Sequence, residues 1–346
     1  MDKVGINGIA GRIGKFAAYE ALGLGLQVVA ANDLATTDQI IESLSHKDSM
    51  HGKLDWKIEK VDDNTISING QKVRICHERD PSNIRWGEEV SIVDECTGLF
   101  TTRAGAEKHL ANSPGLYAVI VSAPGKNMNS YAMGVNHQDY NPAERVISNA
   151  SCTTKAIAVP LKVLIDNGFQ IYNVKMNTVH AATNTQKPLD FMDSYGVLDT
   201  IGSAKTGAAV ATSELIPSLE GKLRGLAYRV PTRDGSIAHV TVIGDTPYHT
   251  SGQINDLFSL ASKDARYCGR IFLFEGSEIA SPDIIGNAAS SIIAVKKTES
   301  DVLPYKPLMP GFKPVSLTFV SGYDNERGPA KDLALLTQYV LAQRNK

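Results

Sequence analysis

K-V-G-I-N-G-I-A-G-R-I-G-K-F-A-A-Y-E-A-L-G-L-G-L-Q-V-V-A-A-N-D, residues 3–33, decides how the first half of the chain is read. A short apolar run, Lys3 to Ile6, enters a turn holding Gly8, Gly11 and Gly14. Lys15 to Leu24 then has a helical pattern, and a second apolar run, Gln27 to Ala31, closes at Asn32-Asp33. The order is strand, glycine turn, helix, strand, acid. Glycines let the backbone turn tightly and approach a pyrophosphate, and the start of the helix offers it free N–H groups. Asp33, 19 positions beyond Gly14, suits a ribose diol and repels a 2′-phosphate, which favours NAD over NADP. The spacing G-x-x-G-x-x-G is one residue longer than the usual G-x-G-x-x-G.

Working outward, Asn69-Gly70 between Thr65–Ile68 and Lys72–Ile75 is a hairpin signal, expected as an insertion beside the sheet. The parallel pattern resumes with Val90 to Asp94, a helix around Ala104 to Ala111, and Tyr117 to Val121. Two strand ends carry small polar turns, at Thr97-Gly98 and Ser122-Ala123-Pro124. Ligands of open α/β sheets sit at the carboxyl ends of strands, so Thr97 and Ser122 are candidates to touch the nicotinamide half; a plain turn is the alternative for each.

The second landmark is Ser148-Asn149-Ala150-Ser151-Cys152-Thr153-Thr154, followed by an apolar segment, Ala156 to Ile165, with a helical pattern. A thiol at a helix start meets free N–H groups and the positive end of the dipole, which stabilise a thiolate nucleophile. An isolated cysteine is also often a small buried hydrophobe; the flanking hydroxyls favour chemistry. Ile171 to Val179 alternates as a half-solvated strand and ends at His180, whose imidazole is a candidate base for Cys152. A lone histidine is also commonly a surface or core residue. Thr206-Gly207-Ala208-Ala209 and Arg229-Val230-Pro231-Thr232 supply the hydroxyl, backbone and guanidinium donors that phosphate takes.

Alternation over Ala238–Ile243, Ser290–Val295 and Val315–Val320 predicts a largely antiparallel sheet. Pro329 to Arg344 has apolar residues at helical spacing and is expected to pack back on the first domain. The fold class is therefore α/β: a Rossmann-type, mostly parallel dinucleotide-binding domain over residues 1–150 and 327–346, and an α+β catalytic domain over 151–326.

The chain has 346 residues, 42% hydrophobic and 21% charged, with a formal net charge of −2. That balance points to neither nucleic acid nor an anionic membrane as a bulk partner. No leader or spanning segment is read at the N-terminus, so a cytoplasmic location is expected. Cys76, Cys96, Cys152 and Cys268 are far apart without close-paired metal spacing, so no metal site is expected.

These residues resemble the phosphorylating glyceraldehyde-3-phosphate dehydrogenases. The likeness is carried by V-G-I-N-G at 4–8, T-G-L-F-T at 97–101, S-A-P at 122–124, S-N-A-S-C-T-T at 148–154, T-V-H at 178–180, T-G-A-A at 206–209, R-V-P-T at 229–232 and Y-D-N-E at 323–326. The motifs fall in family order over nearly the whole chain. The resemblance implies that Cys152 attacks the aldehyde, that His180 acts as base, and that a thioester forms and is released by inorganic phosphate. It further implies that Ser151, Thr153, Thr206 and Gly207 hold the attacking phosphate, and Thr183 and Arg229 the substrate phosphate. Asn325 would orient the nicotinamide, Gly11, Arg12 and Ile13 the pyrophosphate, and Asp33 the ribose. A homotetramer is the implied assembly.

Three departures stand beside these matches. The segment between Gln186 and Thr206 is short and lacks the family's arginine-rich stretch; Lys205, Lys155 and Arg233 are candidates to replace the missing arginine. Lys155 and Ala156 stand where the family usually has Asn and Cys. Arg327 and Pro329 replace aromatic residues. Two alternative functions follow: the same chemistry on another aldehyde such as erythrose 4-phosphate, with phosphate or water resolving the thioester, or a weakly active NAD-binding regulatory protein.

Overall fold

The computed structural model describes residues 3–183, 186–190, 192 and 195–344. They form two compact units, one made of residues up to Ala132, His137–Ser151 and those from Pro329, the other of Met133–Asn136 and Cys152–Gly328.

In the first unit β1 (Lys3–Asn7), α1 (Arg12–Gly23) and β2 (Gln27–Asn32) follow one another, then α2 (Thr37–Ser45) and strands β3 (Ile58–Asp62), β4 (Thr65–Ile68) and β5 (Gln71–Cys76). After these come β6 (Ile92–Glu95), α3 (Arg103–Glu107), β7 (Ala118–Val121) and β8 (Val146–Ser148). The sheet order is β3-β4-β5-β2-β1-β6-β7-β8, parallel from β5 to β8. Every residue of β6 and β7 is buried, as strands covered on both faces require. Trp86, 0% exposed, packs among Val90, Val93, Ala106, Leu116 and Val119.

The hairpin expected beside the sheet is part of it. β5 pairs in parallel with β2, through Ala30↔Arg74 and Asn32↔Cys76, and β4 and β3 continue the edge antiparallel. Val73 and Ile75 are buried, so one face of β5 is apolar. Asn69 and Gly70 have φ of 50° and 86°, the left-handed pair that a two-residue hairpin turn demands.

The second unit runs α4 (Cys152–Asp166), β9 (Gln170–His180), β10 (Gly202–Ala204), α5 (Ala208–Leu215), β11 (Leu223–Arg229), β12 (Ser236–Thr246) and α6 (Ser251–Lys263). It continues with β13 (Ile271–Phe274), α7 (Ser281–Ile284), β14 (Ser291–Ala294), β15 (Glu299–Val302) and β16 (Lys313–Tyr323), before α8 (Arg327–Arg344). The order is β10-β11-β9-β12-β16-β14-β13, with β15 on β16. Pairing is antiparallel apart from β11 with β9 and β13 with β14.

α4 packs across β9, β12, β14 and β16. Ile157, Leu161 and Leu164 of the helix and Val174, Met176, Val240, Val242, Leu317 and Phe319 of the strands are all buried. Each such side chain contributes about 1.5–3 kcal/mol of burial energy, which fixes the start of α4 over the sheet. The opposite face leaves Tyr172, Val179, Leu226 and Tyr228 exposed.

Candidate active site

α4 begins at Cys152, so the thiol occupies the first helical position. The chain reaches it through Ala150 at φ 57°, a left-handed conformation that costs a non-glycine residue about 1–2 kcal/mol. Buried Ser148 supports that turn: its Oγ accepts from the N–H groups of Ala150 (3.0 Å) and Gly125 (3.1 Å) and donates to the Ala123 carbonyl (2.9 Å).

Strand register supplies the rest of the cluster. β9 and β11 end together with His180 beside Arg229, and β16 ends with Tyr323 opposite Ser236 at the start of β12. His180 Nε2 consequently lies 3.7 Å from Cys152 Sγ. Asn325 Nδ2 donates to His180 Nε2 at 3.2 Å and sits 3.9 Å from the sulfur, while its Oδ1 accepts from Ser236 Oγ at 2.8 Å.

These contacts assign the imidazole tautomer. Nε2 accepts from Asn325, so Nδ1 carries the proton and donates to the Ala181 carbonyl at 2.7 Å. Arg229 Nη1 donates to the same carbonyl at 3.1 Å and abuts Nδ1. Burial, against the Ala181 bond and with the Arg229 charge, pushes His180 down to about 4. The ring is neutral at pH 7, and the Nε2 lone pair is shared between the Asn325 amide and the thiol.

Desolvation pushes the Cys152 thiol up, opposed by the Thr153 hydroxyl, the Lys155 charge and the Thr153 backbone N–H. The resting pair is therefore thiol and imidazole, where the helix start alone predicts a thiolate. Burial of the sulfur outweighs the dipole. Proton transfer from Sγ to Nε2 is the step the geometry provides for.

A hydroxyl relay lies beneath. Tyr323 OH is 2.9 Å from Thr153 Oγ1 and 2.7 Å from Thr178 Oγ1, with its ring edge-on to His180 at 6.0 Å. Tyr323, quoted within Y-D-N-E, has no role in the sequence reading because an aromatic residue closing an apolar strand reads as core; its buried hydroxyl makes it part of the site.

The phosphate candidates separate. Thr206 Oγ1 accepts from the Ala208 N–H at 3.1 Å, and exposed Gly207 precedes α5. Thr183 donates from N and Oγ1 to Gln186 Oε1, at 3.0 and 3.4 Å. Arg229 joins His180, and Ser151, half-buried, belongs to the first unit. Lys205 and Arg233 are exposed, but Lys155 is 1% exposed and is withdrawn from any surface anion site.

In the first unit the glycine loop has the features a pyrophosphate needs. Gly8 has φ 85°, and a Cβ on Gly14 would stand 2.0 Å from the Gly8 carbonyl oxygen, so α1 passes close to the turn only with glycine there. Gly11 and Arg12 are exposed and Ile13 is half-buried. Asp33 accepts from the Ala10 N–H (2.9 Å) through one oxygen and from the Ala35 N–H (3.1 Å) through the other. The extra loop residue thus brings a backbone donor to the acid. These residues fit a dinucleotide.

Thr97 and Ser122 both lean on Glu95 at the end of β6. Thr97 donates to Glu95 Oε1 from N (2.8 Å) and Oγ1 (2.5 Å), and the Ser122 N–H donates to the Glu95 carbonyl (3.0 Å). Glu95 Oε2 also accepts from Asn7 Nδ2 at 2.5 Å and His109 Nε2 at 3.0 Å. Trp86 Nε1 donates to His109 Nδ1, which places the ring proton on Nε2. Asn7, quoted within V-G-I-N-G, and Glu95 and His109 have no role in the sequence reading because only the parallel order β2-β1-β6 brings them together.

Among the described residues no helix is long and apolar enough to cross a membrane. The four cysteines are free.

Family models match two stretches: the glyceraldehyde 3-phosphate dehydrogenase NAD binding domain over residues 2–103, and its C-terminal domain over residues 151–305. Among curated relatives, a glyceraldehyde-3-phosphate dehydrogenase of Streptomyces coelicolor is 38% identical over 348 positions, covering 98% of both chains. Glyceraldehyde-3-phosphate dehydrogenase 1 of Schizosaccharomyces pombe is 37% identical over 353 positions, covering 100% of this chain and 99% of its own. A Bacteroides fragilis glyceraldehyde-3-phosphate dehydrogenase is 37% identical over 354 positions, covering 99% of this chain and 100% of its own. This chain belongs to the glyceraldehyde-3-phosphate dehydrogenase family.

Proposed function

We propose that this chain oxidises glyceraldehyde 3-phosphate to 1,3-bisphosphoglycerate with NAD and inorganic phosphate, Cys152 being the nucleophile and His180 the base. The single observation that carries the residue assignment is the 3.7 Å approach of a neutral His180 Nε2 to Cys152 Sγ at the start of α4. Family membership over the whole chain supports the reaction and its cofactor.

His180 takes the Cys152 proton as the sulfur attacks the aldehyde carbon, giving a thiohemiacetal. The oxygen formed is received by the Cys152 backbone N–H and the imidazolium, donors that match a developing oxyanion. NAD, when bound, supplies the hydride acceptor. The imidazolium of His180 gives the proton taken from Cys152 to the thiohemiacetal oxygen and takes it back as the hydride leaves the carbon and the thioester forms on Cys152. Inorganic phosphate attacks the thioester carbon, expels the thiolate and leaves as the acyl phosphate.

The remaining roles belong to the same reading. The first unit, with the C-terminal helix, binds NAD: Gly11, Arg12 and Ile13 hold the pyrophosphate, Asp33 the ribose, and Thr97 and Ser122 face the nicotinamide half. Asn325 serves the nicotinamide amide as well as His180. Thr183 and Arg229 hold the substrate phosphate; Ser151, Thr153, Thr206 and Gly207 hold the attacking one. A homotetramer is supported by the exposed apolar residues Tyr172, Val179, Leu226 and Tyr228 on the open sheet face. The cytoplasm is the proposed location.

The experiment is steady-state NADH production from glyceraldehyde 3-phosphate, erythrose 4-phosphate and unphosphorylated aldehydes, with and without phosphate. Phosphate-dependent turnover highest for glyceraldehyde 3-phosphate is expected. Equal rates without phosphate would contradict the acyl-phosphate product.

A further inference from the structure

Lys155 is a buried cation to which the reaction above gives no part. It stands three residues after Cys152 in the first turn of α4, on the neighbouring position of that helix surface, and is 1% exposed. A lysine seldom loses its solvent without a negative charge to answer it. Asp234 and Asp324, each 0% exposed, bring carboxylate oxygens within 4.8 Å of one another.

Asn325 ties this region to the nucleophile. Its N–H donates to Asp234 Oδ1 at 2.8 Å, while its Nδ2 sits 3.9 Å from Cys152 Sγ. A thiolate at Cys152 thus forms in the field of the buried Asp234 carboxylate, and a buried cation nearby favours it. The groups facing the sulfur from the packed elements are His180 and Arg229 at the strand ends, Asp234 in the turn before β12, and Tyr323 at the end of β16. Arg229 is engaged by the Ala181 carbonyl on the far side of the imidazole.

We propose that Lys155 is a positioning residue whose buried ammonium offsets Asp234 and Asp324 and so permits negative charge on Cys152. It acts through Cys152 and touches neither substrate nor cofactor. The signs agree: the Lys155 charge lowers the thiol and the Asp234 charge raises it. The inference rests on the reading of Cys152 as the nucleophile.

The test is the pH profile of alkylation by iodoacetamide, an uncharged probe, on the full chain, with peptide mapping of the labelled cysteine. Lys155→Met is expected to move the midpoint for Cys152 upward by about one unit and slow labelling at pH 7 about tenfold. Lys155→Arg should restore the parent profile to within about threefold. Asp234→Asn, which keeps a side-chain oxygen for its backbone donors, should move the midpoint downward. A merely structural lysine would leave the midpoint in place while lowering stability. A Met profile superimposed on the parent overturns the proposal. If the Met variant does not fold, Asp234→Asn decides alone, an unchanged or raised midpoint overturning it. Labelling confined to another cysteine defeats the nucleophile reading instead, whereas labelling of Cys152 with an unmoved midpoint defeats only the role of Lys155.

Discussion

His180 presents Nε2 to Cys152 Sγ at 3.7 Å while its Nδ1 is tied to the Ala181 carbonyl at 2.7 Å, so one bond fixes the ring and the opposite nitrogen faces the thiol. His180→Asn should lower kcat by about 10²–10⁴-fold, the usual worth of a positioned base, and slow alkylation of Cys152 at pH 7. Unchanged rates in stopped-flow NADH formation would remove His180 from the chemistry.

Tyr323 OH joins Thr153 and Thr178 in one buried relay. Removing the oxygen in Tyr323→Phe takes the Tyr323 partner from the Thr153 hydroxyl, while Thr178 Oγ1 keeps the Ile237 carbonyl at 3.3 Å, at a cost of about 1–3 kcal/mol. Urea denaturation should show the loss; a midpoint equal to the parent would mean the relay carries no stability.

Asp94 makes one side-chain bond, from Thr337 Oγ1 of α8 at 2.7 Å, and its Oδ2 is buried without a hydrogen-bond partner. Burial, opposed by the Thr337 bond, raises its carboxyl to about 7 from 3.8. A carboxyl raised on folding costs nothing below pH 3.8; the penalty grows as pH rises towards 7 and is complete above it, at about 4 kcal/mol. Asp94→Asn keeps the acceptor for Thr337 and removes the charge. It should stabilise the protein at pH 8 and change little at pH 4, read by denaturation at both values; equal effects at the two would refute the assignment.

Asp33 binds two backbone N–H groups and stands at the glycine loop. Asp33→Ala should weaken NAD about tenfold and shift the NAD to NADP preference towards NADP, measured by titration of each dinucleotide. A preference ratio that does not move would take Asp33 out of ribose recognition.

Much of this was legible because it is local. The strand, glycine turn, helix and acid of residues 3–33 lie in one continuous stretch, and the alternation of β9 brought His180 to a strand end. Non-local pairing hid the rest. Nothing in residues 71–76 says that they lie in parallel beside β2, nor does sequence show that β11 lies parallel to β9 and sets Arg229 against His180. Tyr323 and Glu95 read as ordinary strand ends until the sheets are assembled. Lys155, a surface cation by composition, is enclosed because α4 is buried on nearly every side.

The most direct measurement is mass spectrometry of the Cys152 peptide after the protein is mixed with glyceraldehyde 3-phosphate and NAD in the absence of phosphate and quenched in acid. An acyl group on Cys152 that disappears when phosphate is added before the quench is expected. A peptide without the acyl group, or an acyl group on another residue, would contradict the thioester on Cys152.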